Sequence, residues 1–322
     1  MAKILFLPIY DPSHHQVSVE NKHGLRDALI AAGHTIWEID YCAVPHNQLI
    51  NDIENAISQF TPDIFLTQLQ GVDRIDAVKA AYIREFWRGL TWVNFNQDYW
   101  PEHHTTPDMV ALLRHVDLQL VSNGSVLPDY AANGVNAAYW PFAYETPVRP
   151  LPDVPHHDVV FLGNAYSDHR RKLGKLLKSL PYNVGLYGSG WENADGDCNY
   201  DFTYGEALYK NAKIAISDNE FTDAVGYLSN RPFQILAAGG AVMLQQRVKE
   251  LEEMIGLKQL THYIEWLTVD ELPEMITSIM QGYLKEWRRK EITSTGQAFV
   301  REHHSYDVRV RELMAMVEGL KV

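Results

Sequence analysis

The sequence predicts an α/β protein made of two doubly wound domains. Short apolar runs alternate with amphipathic stretches along most of the chain. Parallel strands need a crossover connection, usually a helix, so this alternation indicates parallel sheets covered by helices. A proline-rich stretch interrupts the alternation near the middle of the 322 residues. At roughly 150 residues per domain, the length fits two domains.

The first half opens with a strand and continues as an alternation of strands and helices. The run KILFLPIY over 3–10 is apolar and ends at Asp-Pro, which predicts a buried strand. Apolar residues at helical spacing follow over 19–32, and Gly33 suits a left-handed helix end. The next strand candidates are 35–41, 63–69, 90–95, 116–122 and 137–143. The next helix candidates are 47–60, 73–88, 107–115 and 124–133.

Prolines mark the boundary between the two predicted domains. The stretch 144–157 contains Pro147, Pro150, Pro152 and Pro155. Proline removes a backbone donor and fixes φ, so this stretch suits neither a sheet nor a helix interior. We predict an N-terminal domain over 1–145, a linker over 146–157, a C-terminal domain over 158–300, and a C-terminal helix over 301–322 that can pack back on the N-terminal domain.

The second half repeats the alternation. Its strand candidates are 157–164, 184–191, 213–219, 241–246 and 262–267. Its helix candidates are 168–180, 204–212, 232–239, 248–256 and 269–283, followed by a charged, periodic tail over 285–320. We therefore predict a second doubly wound, Rossmann-like domain.

Composition narrows the class of protein. The formal net charge of −13 disfavours a broad electrostatic contact with nucleic acid. No apolar run approaches the ~20 residues that span a bilayer, and the first residues become polar too soon for a secretory signal. Two cysteines exclude a disulfide framework and favour a cytoplasmic location.

In open parallel sheets, ligands bind beyond the carboxyl ends of the strands, so the loops there carry the candidate site. The most informative loop runs from Asp218 to Arg231 and leads into a helix that opens at Ser229-Asn230-Arg231-Pro232. A helix N-terminus offers unpaired N–H groups and a positive dipole end, and an arginine fork can grip a diphosphate. The spacing alone also allows a capped crossover helix with a surface arginine.

Four segments of the second half resemble GT-B glycosyltransferases, in the CgeB-like (spore-maturation glycosyltransferase-like) branch of the family-4-related "glycosyl transferases group 1". The four are FLGNAYSDHRRKL, GLYGSGW, SNRPFQILAAGGAVML and GQAFVREHHSYDVRVREL. They follow the family's order over roughly 157–315. The first half resembles the family only in architecture.

The resemblance implies a nucleotide-sugar donor on the C-terminal domain, an acceptor on the N-terminal domain, and transfer in a cleft between them without a bound metal. It places Ser229, Asn230 and Arg231 at the diphosphate, and the segments 164–166 and 188–191 near the nucleoside. Many relatives have Glu where this chain has Gln234, a neutral amide. Our donor-binding candidates are Asn164, Tyr166, Arg170, Tyr187, Gly188, Trp191, Asn219, Tyr227, Ser229, Asn230, Arg231 and Gln234.

Catalytic and acceptor candidates come from loops after strands of the first half. His14 and Asp98 are candidate bases, because imidazole or carboxylate can take a proton from an acceptor hydroxyl at neutral pH. Loop histidines and aspartates are also common without such a role. The acceptor-binding candidates are Asp11, His15, Tyr99, Trp100 and His103.

Four adjacent histidine pairs raise the question of a metal. Neighbouring residues point in different directions on a strand or helix, and no His-Glu-x-x-His pattern occurs. We predict no metal and no cofactor. The basic segment KEWRRK over 285–290 can contact nucleic acid or membrane, but such a run is more often the solvated face of a helix.

The leading hypothesis is therefore a glycosyltransferase that uses a nucleotide sugar, such as a UDP-sugar, and a hydroxyl acceptor. The acceptor can be a glycan, a small molecule, a protein or a modified DNA base. The alternatives are a sugar-nucleotide epimerase of the same fold and a non-catalytic nucleotide-binding or structural protein.

Overall fold

The structure is a computed structural model that describes residues 1–11, 16–17, 20–96, 104–145, 150–197 and 202–320. The chain divides into two compact units. The first contains Met1–Phe142 and Tyr306–Val322, and the second contains Ala143–Ser305.

The first unit is built on a six-stranded parallel sheet. A separate two-stranded antiparallel sheet follows the first strand along the chain. The strands are β1 (Lys3–Leu7), β2 (Tyr10–Asp11), β3 (Gln16–Val17), β4 (Thr35–Glu38), β5 (Ile64–Thr67), β6 (Thr91–Asn96), β7 (Leu118–Val121) and β8 (Ala137–Tyr139). The order in the large sheet is β4-β1-β5-β6-β7-β8, and β2 pairs with β3. β1, β5 and β7 are apolar or buried almost throughout, as expected for parallel strands covered on both faces.

The second unit is built on a five-stranded parallel sheet. Its strands are β9 (His157–Leu162), β10 (Val184–Tyr187), β11 (Ala212–Ser217), β12 (Val242–Gln246) and β13 (Ile264–Trp266), in the order β10-β9-β11-β12-β13. The chain leaves β9 toward β10 on one side and returns to β11 on the other. β9 and β11 therefore flank the point where the strand order reverses, which is where open α/β sheets bind ligands.

Helices connect the strands of both sheets. They are α1 (Asp27–Ala31, preceded by a π-helical segment over Glu20–Arg26), α2 (Leu49–Phe60), α3 (Ala77–Phe86), α4 (Pro107–Leu113), α5 (Leu127–Ala132), α6 (Asp168–Lys178), α7 (Phe202–Lys210), α8 (Asn230–Ala238), α9 (Leu251–Ile255), α10 (Leu272–Met280), α11 (Glu286–His303) and α12 (Tyr306–Gly319). Among the helices within the described ranges, none is both long and apolar enough to cross a bilayer.

The last helix, α12, belongs to the first unit. Arg309 is buried there and donates from Nε to the Pro141 carbonyl at 2.9 Å. Trp140 donates from Nε1 to the Arg309 carbonyl at 3.3 Å. The ring of Tyr306 packs so closely on Gly24 that a Cβ there would lie 2.5 Å from it. A residue larger than glycine at position 24 would therefore force the Tyr306 ring to move.

The predicted fold class is confirmed, because both units are parallel sheets with helical connections. Element limits differ where local chemistry intervenes. The strand predicted over 3–10 has its ladder end at Leu7, before Pro8, which has no N–H to donate. The helix predicted over 19–32 begins as a π-helix, which the apolar spacing did not reveal. The described part of the linker, 150–156, has no regular structure.

Candidate functional site

A buried carboxylate, Asp218, follows β11 and lies between two arginines. Arg170 of α6 donates from Nε to Oδ2 at 2.7 Å and from Nη2 to Oδ1 at 3.2 Å. Arg231 of α8 places Nη1 2.5 Å from Oδ1. The side chain of Asp218 has no exposed surface. Two guanidinium groups against one carboxylate leave this cluster, Arg170–Asp218–Arg231, with one net positive charge.

The electrostatics favour the ionised forms of Asp218 and Arg231. Burial alone would raise the pKa of Asp218, but the charges of Arg231 and then Arg170 outweigh burial and hold the pKa below its ordinary value. Burial also works against the charge of Arg231, and Asp218 outweighs it, so the Arg231 pKa is raised. The cluster therefore stays cationic at neutral pH.

Aromatic rings lie against both guanidinium groups. Cζ of Arg170 lies 4.4 Å from the ring centre of Tyr166 and 6.0 Å from that of Phe161. Cζ of Arg231 lies 5.1 Å from the Phe161 ring. Arginine over an aromatic face is attracted by the ring quadrupole. Phe161 is fully buried and supports the two guanidinium groups from the core, whereas Tyr166 is 53% exposed and accessible to solvent.

Glycines bring the loops after β9 and β10 together. A Cβ on Gly163 would lie 2.8 Å from Nη2 of Arg231, so only glycine leaves room for the guanidinium. Gly188 has φ of +128°, and a Cβ there would lie 2.3 Å from the Gly163 carbonyl oxygen. Asn164 Oδ1 accepts from the Ser189 amide at 2.9 Å. Trp191 Nε1 donates to the Gly163 carbonyl at 2.7 Å.

The N-terminus of α8 lies beside this cluster. Ser229 is the N-cap residue and makes no side-chain capping bond. The helix geometry gives the amides of Ser229 and Arg231 no intrahelical acceptor. The helix predicted over 232–239 begins two residues earlier, at Asn230, so Pro232 is its third residue and not its first. Proline is tolerated there because its missing N–H would have no helical partner either. The Arg231 guanidinium bonds only through Nη1 among the described residues.

Gln234 presents a buried donor without an acceptor. Its Nε2 atom is buried and makes no hydrogen bond within the described part of the chain. Gln234 follows Arg231 by three residues, so both lie on the same face of α8. An unsatisfied buried N–H₂ costs free energy, and a bound acceptor atom would satisfy it.

Three predicted donor residues have side chains already engaged in packing. Tyr187 is 2% exposed, and its hydroxyl lies 2.8 Å from His157 Nε2. Asn219 is buried and donates from Nδ2 to the Tyr227 carbonyl at 2.5 Å. Tyr227 is itself buried, with its ring edge-on to Phe221. These residues shape the loops rather than present a side chain to solvent.

The structure thus brings together nine of the predicted donor positions around the carboxyl ends of β9, β10 and β11, with the remaining three packed beneath. The nine are Asn164, Tyr166, Arg170, Gly188, Trp191, Ser229, Asn230, Arg231 and Gln234. The side chain of Asp11 and all of His14, His15, Asp98, Tyr99, Trp100 and His103 lie outside the described residues, so the catalytic and acceptor assignments stay predictions.

Two residues central to this site were not among the predicted ones. The sequence analysis named Asp218 only as the first residue of the loop that leads to Arg231. Its position directly after a buried strand was the signal that could have marked it as a site residue. Phe161 opens one of the four segments that resemble the family, but it was not singled out, because an apolar residue inside a strand is expected in any core. Within the described residues, no group of three His, Cys, Asp or Glu side chains is arranged to hold a metal ion.

A family comparison covers most of the second unit. Residues 169–315 match the family described as glycosyl transferase-like. Over these residues the chain is similar to that family. The match includes Arg170, Asp218 and Arg231, and it begins one residue before Arg170. No curated protein sequence matches the chain.

Solved structures show the fold of the whole chain. Sucrose-phosphate synthase from Thermosynechococcus elongatus superposes with a TM-score of 0.67 at 9% identity, covering 99% of each chain. The Anabaena protein HepE, solved with UDP and glucose, gives 0.66 at 11% identity over 99% of this chain and 100% of its own. Trehalose-6-phosphate synthase OtsA gives 0.66 at 10% identity over 99% of each chain. The prediction of a glycosyltransferase domain on a GT-B fold is confirmed.

Proposed function

We propose that the chain transfers a sugar from a nucleotide donor, of which a UDP-sugar is our first choice, to a hydroxyl acceptor. The carrying observation is the cluster Arg170–Asp218–Arg231, which keeps one net positive charge beside the N-terminus of α8. A diphosphate bound there would face the N-terminus of α8 and Nη2 of Arg231, which makes no hydrogen bond to a described residue. Gln234 Nε2 would gain an acceptor that none of the described residues supplies.

This arrangement suits the charge changes of sugar transfer. The bond between the anomeric carbon and the phosphate oxygen breaks, and its electron pair leaves on the nucleoside diphosphate. The acceptor oxygen forms the new bond to the anomeric carbon, and its proton passes to a base or to the leaving phosphate. Fixed amide dipoles and a pre-positioned arginine stabilise the negative charge on the leaving group. Asp218 holds the arginine in place before substrate arrives.

The proposal also covers the nucleotide base, the branch of the family, the need for a metal and the catalytic base. The uracil base is supported by HepE, which was solved with UDP and glucose and with UDP-glucose. The CgeB-like branch is supported by the four resembling segments. We propose that transfer needs no metal, because Arg231 and the α8 amides can carry the diphosphate charge. His14 and Asp98 remain our candidate bases.

Transfer is favoured over epimerisation by the character of the donor residues. None of the twelve predicted donor residues is acidic, and the neighbouring carboxylate of Asp218 is enclosed by two arginines. An epimerase of this fold would need a carboxylate free to exchange protons with the donor sugar. We therefore retain transfer as the proposed reaction.

Nucleotide binding tests the donor site first. Thermal shift with UDP, GDP and ADP should show a rise in melting temperature with one diphosphate, and calorimetry should give its Kd. Arg231→Ala should weaken that binding by about 1–3 kcal/mol, the usual value of a hydrogen bond to a charged group. The matched control is Arg171→Ala, because Arg171 is half-exposed, neighbours Arg170 and forms its ion pair with exposed Asp168 on its own helix. Its remaining hydrogen bond goes to the carbonyl of Ala165 and not to Asp218.

Product analysis then separates transfer from mere binding. Slow release of free sugar and UDP from the bound donor, unchanged by a chelator, would support metal-independent transfer. Binding without release of sugar would indicate a non-catalytic nucleotide-binding protein. No response to any nucleotide, or equal losses in Arg231→Ala and Arg171→Ala, would refute the proposed donor site.

A further inference from the structure

A cavity of about 560 Å³ lies within the first unit, between helix α2 and strand β4, the outer strand of the six-stranded sheet. Its volume is in the range of pockets that hold small molecules. Trp37 and Asp40 belong to its lining on the strand side, and Asn55 belongs to its lining on the helix side. None of its lining residues belongs to the proposed donor site, so the proposed sugar transfer gives this cavity no role.

One face of α2 lines the cavity with polar side chains. Four of them recur at intervals of four, three and four residues, which places them in a row along the helix: Gln48, Asp52, Asn55 and Gln59. Three of the four are primary amides, each with two N–H donors and one carbonyl acceptor. None of the four side chains makes a hydrogen bond to a described residue. The row therefore offers donors and acceptors side by side to a bound molecule.

An exposed tryptophan faces the same cavity from the sheet. Trp37 is 39% exposed, and its register partner on β1 is Leu5, which packs in the core beneath α2. Neighbours in register share a face of a parallel sheet, so Trp37 projects on the side that α2 covers. The ring of Phe60, the last residue of α2, lies 5.9 Å from the Trp37 ring between centres. Phe60 therefore supports the indole, and the rest of the indole lines the cavity.

The charges around the cavity disfavour an anionic ligand. None of its described lining residues is basic, and three are acidic, namely Glu38, Asp40 and Asp52. Two of these acids are already engaged, since Glu38 Oε2 lies 3.5 Å from Arg26 Nη1 and Asp40 Oδ1 accepts from the Ala43 amide at 3.1 Å. A polycation would thus meet one uncommitted carboxylate among three amides. The lining suits a neutral ligand better than a charged one.

A saccharide matches this lining. A pyranose ring presents a C–H face that packs on an aromatic ring, and a rim of hydroxyls that are both donors and acceptors. Amides and one carboxylate satisfy such hydroxyls without requiring a charge on the ligand. We propose that this cavity binds a neutral oligosaccharide, with Trp37 stacked on one sugar ring and the polar row of α2 bonded to its hydroxyls. This binding site is separate from the proposed sugar transfer and does not depend on it.

Calorimetry with the full chain tests this proposal, and the probes are the linear hexaoses of glucose, mannose and N-acetylglucosamine. We expect at least one to bind, with a Kd that does not change with NaCl concentration, because a neutral ligand is not screened. Trp37→Ala should raise that Kd by about tenfold or more, since the ring loses its stacking partner. The double variant Gln48→Ala/Asn55→Ala should raise it by about fivefold or more. Both amides are exposed and unbonded, so the double variant is expected to fold, and circular dichroism checks this.

Two control variants lie outside the cavity. Trp287→Ala removes an exposed tryptophan (67% exposed) from the second unit, and Asn51→Ala removes an exposed amide from α2 that does not line the cavity. Both should leave the Kd of the saccharide unchanged. Failure of all three hexaoses to bind, or equal losses in the controls and the cavity variants, would overturn the proposal.

Two competitors separate this site from other interpretations. Excess UDP should leave saccharide binding unchanged, and competition by UDP would place the saccharide in the proposed donor site and overturn the proposal. A lysine octapeptide should not bind. Binding of that peptide in place of the hexaoses, abolished by Asp52→Asn, would mean that the cavity takes a cationic partner instead.

Discussion

Asp218 Oδ1 and Arg231 Nη1 lie 2.5 Å apart, and the guanidinium of Arg231 is therefore positioned in the free protein. Its side chain is 11% exposed. A flexible, exposed arginine loses side-chain entropy when it binds a ligand. An arginine already held by a carboxylate and packed on an aromatic ring loses little. The sequence allowed Arg231 to be a surface arginine, whereas the structure shows its guanidinium already fixed by Asp218.

Arg231→Ala should destabilise the folded protein as well as the proposed donor complex. We expect a loss of about 2–4 kcal/mol in the free energy of unfolding. This is slightly below the usual cost of removing one partner of a buried ion pair, because Arg170 still binds Asp218. Urea unfolding measures it. Arg231→Lys should lose less, since it keeps the charge but not the fork. A stability equal to that of unmodified protein for Arg231→Ala would contradict the buried pair.

The contribution of Asp218 to stability should depend on pH. Its folded pKa is lowered, so the ionised carboxylate stabilises the folded protein above its unfolded pKa of about 4, and that stabilisation is lost as pH falls through the lower folded pKa. The difference in unfolding free energy between unmodified protein and Asp218→Asn should be full at pH 5–7 and shrink below about pH 4. Asp168→Asn, at a side chain 98% exposed, serves as the control. A difference that vanished already near pH 6 would mean a raised pKa instead.

Two glycines of one loop should respond differently to alanine. Gly188→Ala combines a φ of +128° with a Cβ 2.3 Å from the Gly163 carbonyl, so the loop must move. Gly190→Ala has φ of +80° but its nearest neighbour would lie at 3.5 Å, an ordinary contact. We expect a loss of about 1 kcal/mol for Gly190→Ala and at least twice that for Gly188→Ala, measured by urea unfolding. Equal losses would show that the contact with Gly163 is not tight.

Gln234→Leu should separate stability from ligand binding. The Gln234 amide nitrogen has no partner among the described residues, so replacing it with an apolar side chain of similar size should be neutral or stabilising in the free protein. The same change should weaken binding of the intact nucleotide sugar, because the ligand then loses a hydrogen bond. Thermal unfolding without ligand and calorimetry with the donor give the two measurements. A variant that bound the donor unchanged would remove Gln234 from the proposed site.

The sequence located the strands, the helices and the loop before α8 because each has a local signal. Apolar periodicity marked β11 and α8, and Ser229-Asn230-Arg231-Pro232 marked the helix start. The position of Asp218 after a buried strand was such a signal, but its pairing with Arg231 and Arg170 was not predictable, since the three side chains meet only after strands distant in sequence become neighbours. Tyr187 and Tyr227 were assigned to donor contact by position along the chain, but burial is a property of the assembled sheet.

The first unit receives α12 from the far end of the chain, with Arg309 fixed to the Pro141 carbonyl. During synthesis, the half that leaves the ribosome first therefore waits for the last residues before its own core is closed. A proteolytic cut near Ser305 would leave the second unit whole, yet it would separate α12 from the rest of the first unit.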